Sequence, residues 1–329
     1  MCGIAGIIKY GDAPILESQI AMLLVGNEHR GIDATGMAFS YLDGSVKVFK
    51  KDVPSWSFVT DPEYKKFIET NLTDKIWAVL LHTRAATHGN PRDNNNNHPM
   101  YAGKSAAIHN GMIQNDNHLF NSLNLDRKAE TDSDIIRAIV DKNGITEKCI
   151  KELNKLSGSV AAAVVSPDYP QKMLLMRSGS PLTLASDGDH FLFSSERNTL
   201  DRALKPWVKR WGMHFQLKRA DAAFSPFADN TAWILGAKGQ EGHYEFKSLG
   251  GKYIEPNRAT YEQYKNRQEK WNNASKAIVV QSKVEDALCP KCDKVWTITK
   301  GGNPSNFRCN KKKGGCNTAL VKLPMIKVN

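Results

Sequence analysis

Short apolar runs of three to seven residues, separated by clusters of Gly, Asn, Asp and Pro, limit what this chain can fold into; they fall at residues 2–8, 77–81, 105–108, 159–165, 173–176 and 191–193. Runs of that length read as buried strands. The last three are spaced closely enough to be antiparallel neighbours. Helices are signalled separately. Ile15, Leu16, Ile20, Leu23 and Leu24 recur at helical spacing ahead of Asn27. Ile135, Ile136, Ile139 and Val140 make the apolar face of a second helix, with Thr131 and Asp134 as a capping box at its start. A third helix runs from Ser195 to about Leu204. Runs of strands and runs of helices, rather than strict alternation, predict an α+β fold. Between the strands at 77–81 and 105–108 lies a long polar loop containing Asn94, Asn95, Asn96 and Asn97. Loops of that length are commonly functional.

At 329 residues the chain has room for about two domains. Weaker strand patterns at 213–217, 231–235 and 243–246 carry the first domain to residue 255. The polar segment 257–276, with Thr260 and Gln263 as a capping pair, predicts a linker helix within 256–281, and residues 282–329 form a tail domain. With 24% charged residues and a mean hydropathy of −0.45, the composition is that of a soluble protein. No stretch approaches the ~20 apolar residues needed to cross a bilayer, so no membrane is expected. No basic segment precedes the first apolar run, which argues against a secretory signal and for a reducing cytoplasm. The net charge of +11 is uneven: residues 282–329 hold ten Lys and Arg against three Asp and Glu, leaving +4 for everything before them.

Cys2 is the first residue with distinctive chemistry. A cysteine in an apolar strand is ordinarily a small core hydrophobe. Once Met1 is removed, however, Cys2 carries both a thiol and a free α-amine, whose reference pKa of ~7.7–8.0 lets it accept a proton near neutrality. Nucleophile and base then sit on one residue. Such a group attacks an amide carbon, releases ammonia and leaves a thioester for water to open.

Four separated motifs carry a resemblance. Cys2-Gly3-Ile4-Ala5-Gly6 opens the chain, and His29-Arg30-Gly31-Ile32-Asp33-Ala34-Thr35-Gly36 follows. His82-Thr83-Arg84-Ala85-Ala86-Thr87-His88-Gly89 leads on to Asn97-His98-Pro99, and His109-Asn110-Gly111 completes the set. Together they resemble the class II glutamine amidotransferases. That resemblance implies a four-layer αββα fold of the N-terminal-nucleophile hydrolase type and hydrolysis of L-glutamine to glutamate and ammonia. It implies that Cys2 is the nucleophile and that Asn110 and Gly111 form the oxyanion hole. Arg84 would hold the substrate α-carboxylate, for which a planar guanidinium fork is suited. Asp132, in Glu130-Thr131-Asp132, would bind the α-amine. Thr87 and His88 would line the substrate pocket, with Arg30 and Gly31 shaping its wall beside the nucleophile. Several family members place tryptophan after the loop arginine where this chain has Ala85, a change that bears on loop closure rather than on glutamine chemistry. No cofactor is implied for hydrolysis. His82, His88, His98 and His109 lack the close pair spacing of metal ligands, and Cys149, beside Ile150 and Leu153, reads as a core thiol.

Four of the six cysteines fall in the last 41 residues. Cys289-Pro290-Lys291-Cys292 is a knuckle, and Cys309 and Cys316 follow after sixteen and then six intervening residues. Four thiolates suit tetrahedral zinc, and the first knuckle and the spacer match a zinc ribbon, a small β domain whose hairpin would use residues 295–299 and 306–308. The second pair is more widely spaced than a knuckle; free thiols or a redox pair are the alternative. Lysines with Trp296 and Phe307 suit contact with nucleic acid, and docking onto a protein is the other use. No phosphate loop and no pyrophosphatase motif is present. The ammonia acceptor, a nucleotide or nucleic-acid base among the options, is therefore expected on a partner synthase. Two rivals stand beside this reading: a catalytically silent glutamine-binding scaffold or zinc-ribbon adaptor, and an N-terminal-cysteine hydrolase of another amide, which Arg84 and Asp132 argue against.

Overall fold

The computed structural model describes residues 1–204, 227–237, 239–245 and 249 in full, together with backbone strands at 207–210, 213–216, 223–226, 284–288, 295–299 and 321–322. The chain divides into two compact units, Met1–Ile254 and Glu255–Asn329.

The first unit is built on two antiparallel sheets. One has seven strands in the order β13-β9-β10-β1-β4-β2-β3. These are β1 (Gly3–Lys9), β2 (Ala34–Tyr41), β3 (Val46–Lys51), β4 (Ile76–Arg84), β9 (Thr183–Ser186), β10 (His190–Ser194) and β13 (Ala223–Pro226). The other has six, in the order β15-β14-β8-β7-β6-β5. They are β5 (Met100–Tyr101), β6 (Ala106–Ile113), β7 (Gly158–Val165), β8 (Met173–Ser178), β14 (Thr231–Gly236) and β15 (Gly239–Glu245). A separate pair joins β11 (Trp207–Arg210) to β12 (Met213–Gln216).

Three cores explain why these antiparallel strands read as nearly continuous apolar runs. Ile4, Ile8, Ala78 and Leu80 of the first sheet meet Ile108, Ala161, Ala163, Val165 and Leu175 of the second in one core between the sheets. The alternate residues turn outward. Ala5, Ile7, Val79 and Leu81 pack beneath α1 (Glu17–Asn27), α2 (Ser55–Thr60), α3 (Pro62–Asn71) and α7 (Arg197–Leu204). Val160, Ala162, Val164, Leu174 and Met176 pack against α4 (Asp116–Ser122), α5 (Asp134–Asn143) and α6 (Glu147–Leu153). The layers are thus helix, sheet, sheet, helix, and strands covered on both faces have no need of polar residues. Cys149 lies fully buried in the outer core beside the second sheet, and its thiol is pushed up to about 12 by that burial.

Three local expectations need correction. The strand at 191–193 does not neighbour the one at 173–176: β10 pairs with β1 and β9 in the first sheet, while β8 pairs with β7 and β14 in the second. Thr131 and Asp134 make no capping box. Thr131 Oγ1 donates to the Met100 sulfur, and the Asp134 carboxylate accepts from the backbone N–H groups of Lys128 and Ala129 while pairing with Arg137 at 2.5 Å. The α5 helix begins at Asp134 because that carboxylate is taken by the preceding turn. The α7 helix starts at Arg197 rather than Ser195, since Ser195 still continues the sheet: its N–H donates to the Ile4 carbonyl and its hydroxyl accepts from the Ile4 N–H.

In the second unit, β16 (Val284–Leu288) pairs antiparallel with both β17 (Val295–Thr299) and β18 (Val321–Lys322). The linker helix expected at 256–281, the strand at 306–308, and Cys289, Cys292, Cys309 and Cys316 lie outside the described residues. Among the described residues no helix is long and apolar enough to cross a membrane.

Candidate active site

The register between β1 and β4 places the nucleophile candidate. Gly3 faces Thr83 and Ile4 faces His82, so one further step brings Cys2 beside Arg84 at the end of β4. The Cys2 thiol donates to the Ala85 carbonyl at 3.6 Å. Burial pushes this thiol up, against the pull of the N-terminal amine, the Ala85 contact and the Arg84 guanidinium, so the neutral thiol predominates at pH 7. The amine itself, carried here by Met1, is held below its ordinary value, chiefly by burial.

Across the gap, β6 of the second sheet supplies the facing residues. His82 Nε2 donates to the His109 carbonyl at 3.1 Å, a direct bond between the sheets at this end of the sandwich. The His109 ring accepts from the Ser133 hydroxyl through Nδ1 at 2.8 Å and reaches the Ser159 carbonyl through Nε2 at 3.4 Å. Gly111 has φ +148°, and a Cβ there would come within 1.9 Å of the Ser159 carbonyl oxygen, so only glycine fits. Asn110 lies on the face of β6 that also carries Ile108 into the core between the sheets. Its side chain is buried, and neither amide atom has a partner among the described residues.

Cys2, Arg84, Thr87, His88, Gly111 and Asp132 line one open cleft, together with His98 and His109. Asn110 is beneath this lining rather than part of it. Asp132, two residues before α5, is aimed by the Ile113 N–H, which donates to its Oδ2 at 2.6 Å. Arg84 is buried and donates to Asn97 Oδ1 and to the carbonyls of His88 and Gly89, holding the loop 85–98 around itself. Arg30 and Gly31 stand behind the nucleophile. Arg30 Nε donates to the Cys2 carbonyl at 2.9 Å, and a Cβ on Gly31 would strike the Arg84 backbone at 2.3 Å.

Several groups that position this cleft were not singled out from the sequence. Asp33 Oδ2 accepts from the Ala86 N–H at the start of the loop. Lys50 Nζ donates to the Asn97 and Pro99 carbonyls at its end, and burial pulls that amine down to about 8. Asn96 and Glu130 clasp each other in both directions, linking the loop to the segment bearing Asp132. The rings of His82 and His98 stack at 3.9 Å, both kept neutral by burial. Asp33, His98 and Glu130 sat inside the quoted motifs; Lys50 had no local signal for this task.

The fold and the cleft find counterparts. Residues 82–202 match the family model of the glutamine amidotransferase domain. Among curated proteins it is 33% identical over 207 residues to the glutamine–fructose-6-phosphate aminotransferase (isomerizing) of Chlorobaculum tepidum, covering 59% of this chain and 32% of that protein. The Thermotoga maritima enzyme of the same name is 32% identical over 227 residues, covering 63% and 34%. The chain thus spans about a third of the length of these relatives. Among solved structures, a glutamine phosphoribosylpyrophosphate amidotransferase from B. subtilis, complexed with ADP and GMP, superposes with a TM-score of 0.53 at 17% identity, covering 75% of this chain and 49% of that one. A structure described as the allosteric regulatory enzyme of purine biosynthesis gives a TM-score of 0.55 at 17% identity, with the same coverage. At that identity the likeness is one of fold.

Proposed function

We propose that this protein hydrolyses the side-chain amide of L-glutamine and delivers the ammonia to an acceptor held by a partner synthase. The observation that carries the proposal is the meeting, in one cleft, of a thiol, a buried guanidinium and a carboxylate with the backbone of Gly111. A free amino acid offers the complementary set: an α-carboxylate for Arg84, an α-amine for Asp132, and a side-chain amide that reaches Cys2. Thr87 and His88 would complete the walls.

The reaction begins with removal of Met1, because an acylated Cys2 nitrogen cannot accept a proton. A thiol whose pKa burial has raised needs a base at hand, and the α-amine that removal of Met1 exposes on the same residue can be one. Sγ bonds to the amide carbon as its proton moves to that amine. The Asn110 side-chain N–H and the Gly111 backbone N–H would stabilise the oxyanion, where each donor is worth ~2.7–4 kcal/mol. The C–N bond then breaks, the proton passes to the leaving nitrogen, and ammonia departs. Water adds to the thioester and releases glutamate.

The test is glutamate release by protein whose N-terminus has been defined by intact mass, with Cys2→Ala alongside. Activity in the processed wild type and none in the variant is expected; a processed wild type that binds glutamine without turnover would make this a binding module. For the tail, the spacing of Cys289, Cys292, Cys309 and Cys316 supports one structural zinc, and its basic charge supports a docking role toward the synthase or a nucleic acid. Metal analysis giving no zinc per chain would exclude the ribbon.

A further inference from the structure

We infer that Glu196 is a positioning residue for the nucleophile, acting through Arg30 on the backbone carbonyl of Cys2. The inference rests on Cys2 being the nucleophile, as proposed above. Cys2 precedes β1 by one residue, so the regular ladder that fixes Gly3 to Lys9 does not reach it. A hydrogen bond to its carbonyl therefore does much to set how the Cys2 main chain turns, and with it where the α-amine and Sγ point. Arg30 Nε makes that bond at 2.9 Å, and Arg30 Nη1 is in turn paired with Glu196 Oε1 at 2.7 Å.

The anchoring of Glu196 gives the arrangement its stiffness. Ser194 and Ser195, immediately before it, are buried and bonded into the first sheet. The Ser194 hydroxyl accepts from Asn27 Nδ2 at 3.0 Å and from the Glu196 N–H at 3.0 Å, while Ser195 exchanges two hydrogen bonds with Ile4. The end of β10 thus fixes the start of β1 twice, directly at Ile4 and through Glu196 and Arg30 at Cys2. His29 also reaches Glu196 Oε1, at 3.3 Å from a more exposed position. Held by His29 and Arg30, the Glu196 carboxyl drops to about 2 and is ionised at any working pH. The Arg30 side chain is 8% exposed, so replacing its counter-charge by a neutral group frees it to seek other acceptors and to release the Cys2 carbonyl.

Steady-state glutamate release and Cys2 labelling by 6-diazo-5-oxo-norleucine are to be measured on the full chain, Met1 removed, for wild type, Glu196→Gln, Glu196→Asp, Arg30→Lys and the Arg30→Lys/Glu196→Gln double variant. Misplacement of a reacting group by a fraction of an ångström is expected to lower kcat about tenfold in Glu196→Gln with KM for glutamine within about twofold. Glu196→Asp should recover part of that loss, and the double variant should be no slower than Arg30→Lys. Equal kcat in wild type and Glu196→Gln, or losses that multiply in the double variant, would overturn the inference. If the wild type released no glutamate, the proposed function would fall by itself. Labelling rates would still decide the positioning role: a slower rate in Glu196→Gln supports it and an unchanged one rejects it.

Discussion

Asn110 is an amide enclosed by the sandwich, with no bond to either of its polar atoms among the described residues. Replacing it leaves no other group stranded, so Asn110→Ala should melt within a few degrees of wild type while kcat falls ~10²- to 10³-fold, the usual loss for one oxyanion donor. Parallel melting and glutamate-release assays would check that separation; a melting point that collapsed with activity would make Asn110 a structural residue. The buried imidazoles make a second prediction. Burial holds His82 down to about 3 and His98 well below its ordinary value. In the unfolded chain both titrate near ~6.5, so below that pH the unfolded state takes up protons the native state refuses. Stability should be full above about 6.5 and decline steadily as pH falls toward 3, seen as a falling urea midpoint. A midpoint flat from pH 7 to 4 would contradict it. At this scale the sequence displayed the proposed reactive groups, since Cys2, Arg84, Asn110, Gly111 and Asp132 fall in short motifs. Lys50 and Glu196 were silent because each acts on a carbonyl or a side chain dozens of residues away, and only the tertiary register brings them there.

The elements were legible to different degrees for identifiable reasons. Strand β7 and the first four residues of β8 announce themselves because both faces are buried and every residue there is apolar or small. The β2–β3 hairpin was passed over although Asp43-Gly44 marks its turn, because β3 alternates Val, Phe and Lys on a half-exposed edge. The α3 helix was passed over as well, despite Asp61 capping it and Pro62 standing at its first turn. For α5 the periodicity was right and the cap was not. Asp134 serves the turn before the helix and neutralises Arg137, each with side chains under 5% exposed. Asp134→Ala should therefore cost ~3–5 kcal/mol, the penalty of leaving a buried guanidinium without its partner, measurable as a lower urea midpoint. A loss below about 1 kcal/mol would mean that Asp141, the second carboxylate on Arg137, suffices alone.

At the level of the whole molecule, α+β content follows from the spacing of the runs, whereas the four layers came from the resemblance. Strand order was legible only where β7 and β8 follow each other as antiparallel neighbours; β1 lies between β10 and β4, and nothing near Gly3 says so. Every candidate site residue of the first unit falls between Cys2 and Glu196, yet the unit needs more chain than that. The β14 strand covers the edge of β8, and the Leu249 carbonyl accepts from the Gly158 N–H. Residues 1–254 expressed alone should fold and release glutamate, while a chain cut at residue 204 should be insoluble; turnover by the shorter chain would show that β14 is dispensable. The thiol hangs from one sheet and Asn110 and Gly111 belong to the other, so the working distance of the reaction is gauged by whatever fills the space between the sheets. Much of that filling is alanine, at Ala38, Ala78, Ala106, Ala161 and Ala163, beside the bulk of Trp77, Phe193 and Phe227. On the proposed function, catalytic spacing is thereby delegated to spacers that touch no substrate, and a methyl group gained or lost among them would retune turnover while leaving every motif unaltered.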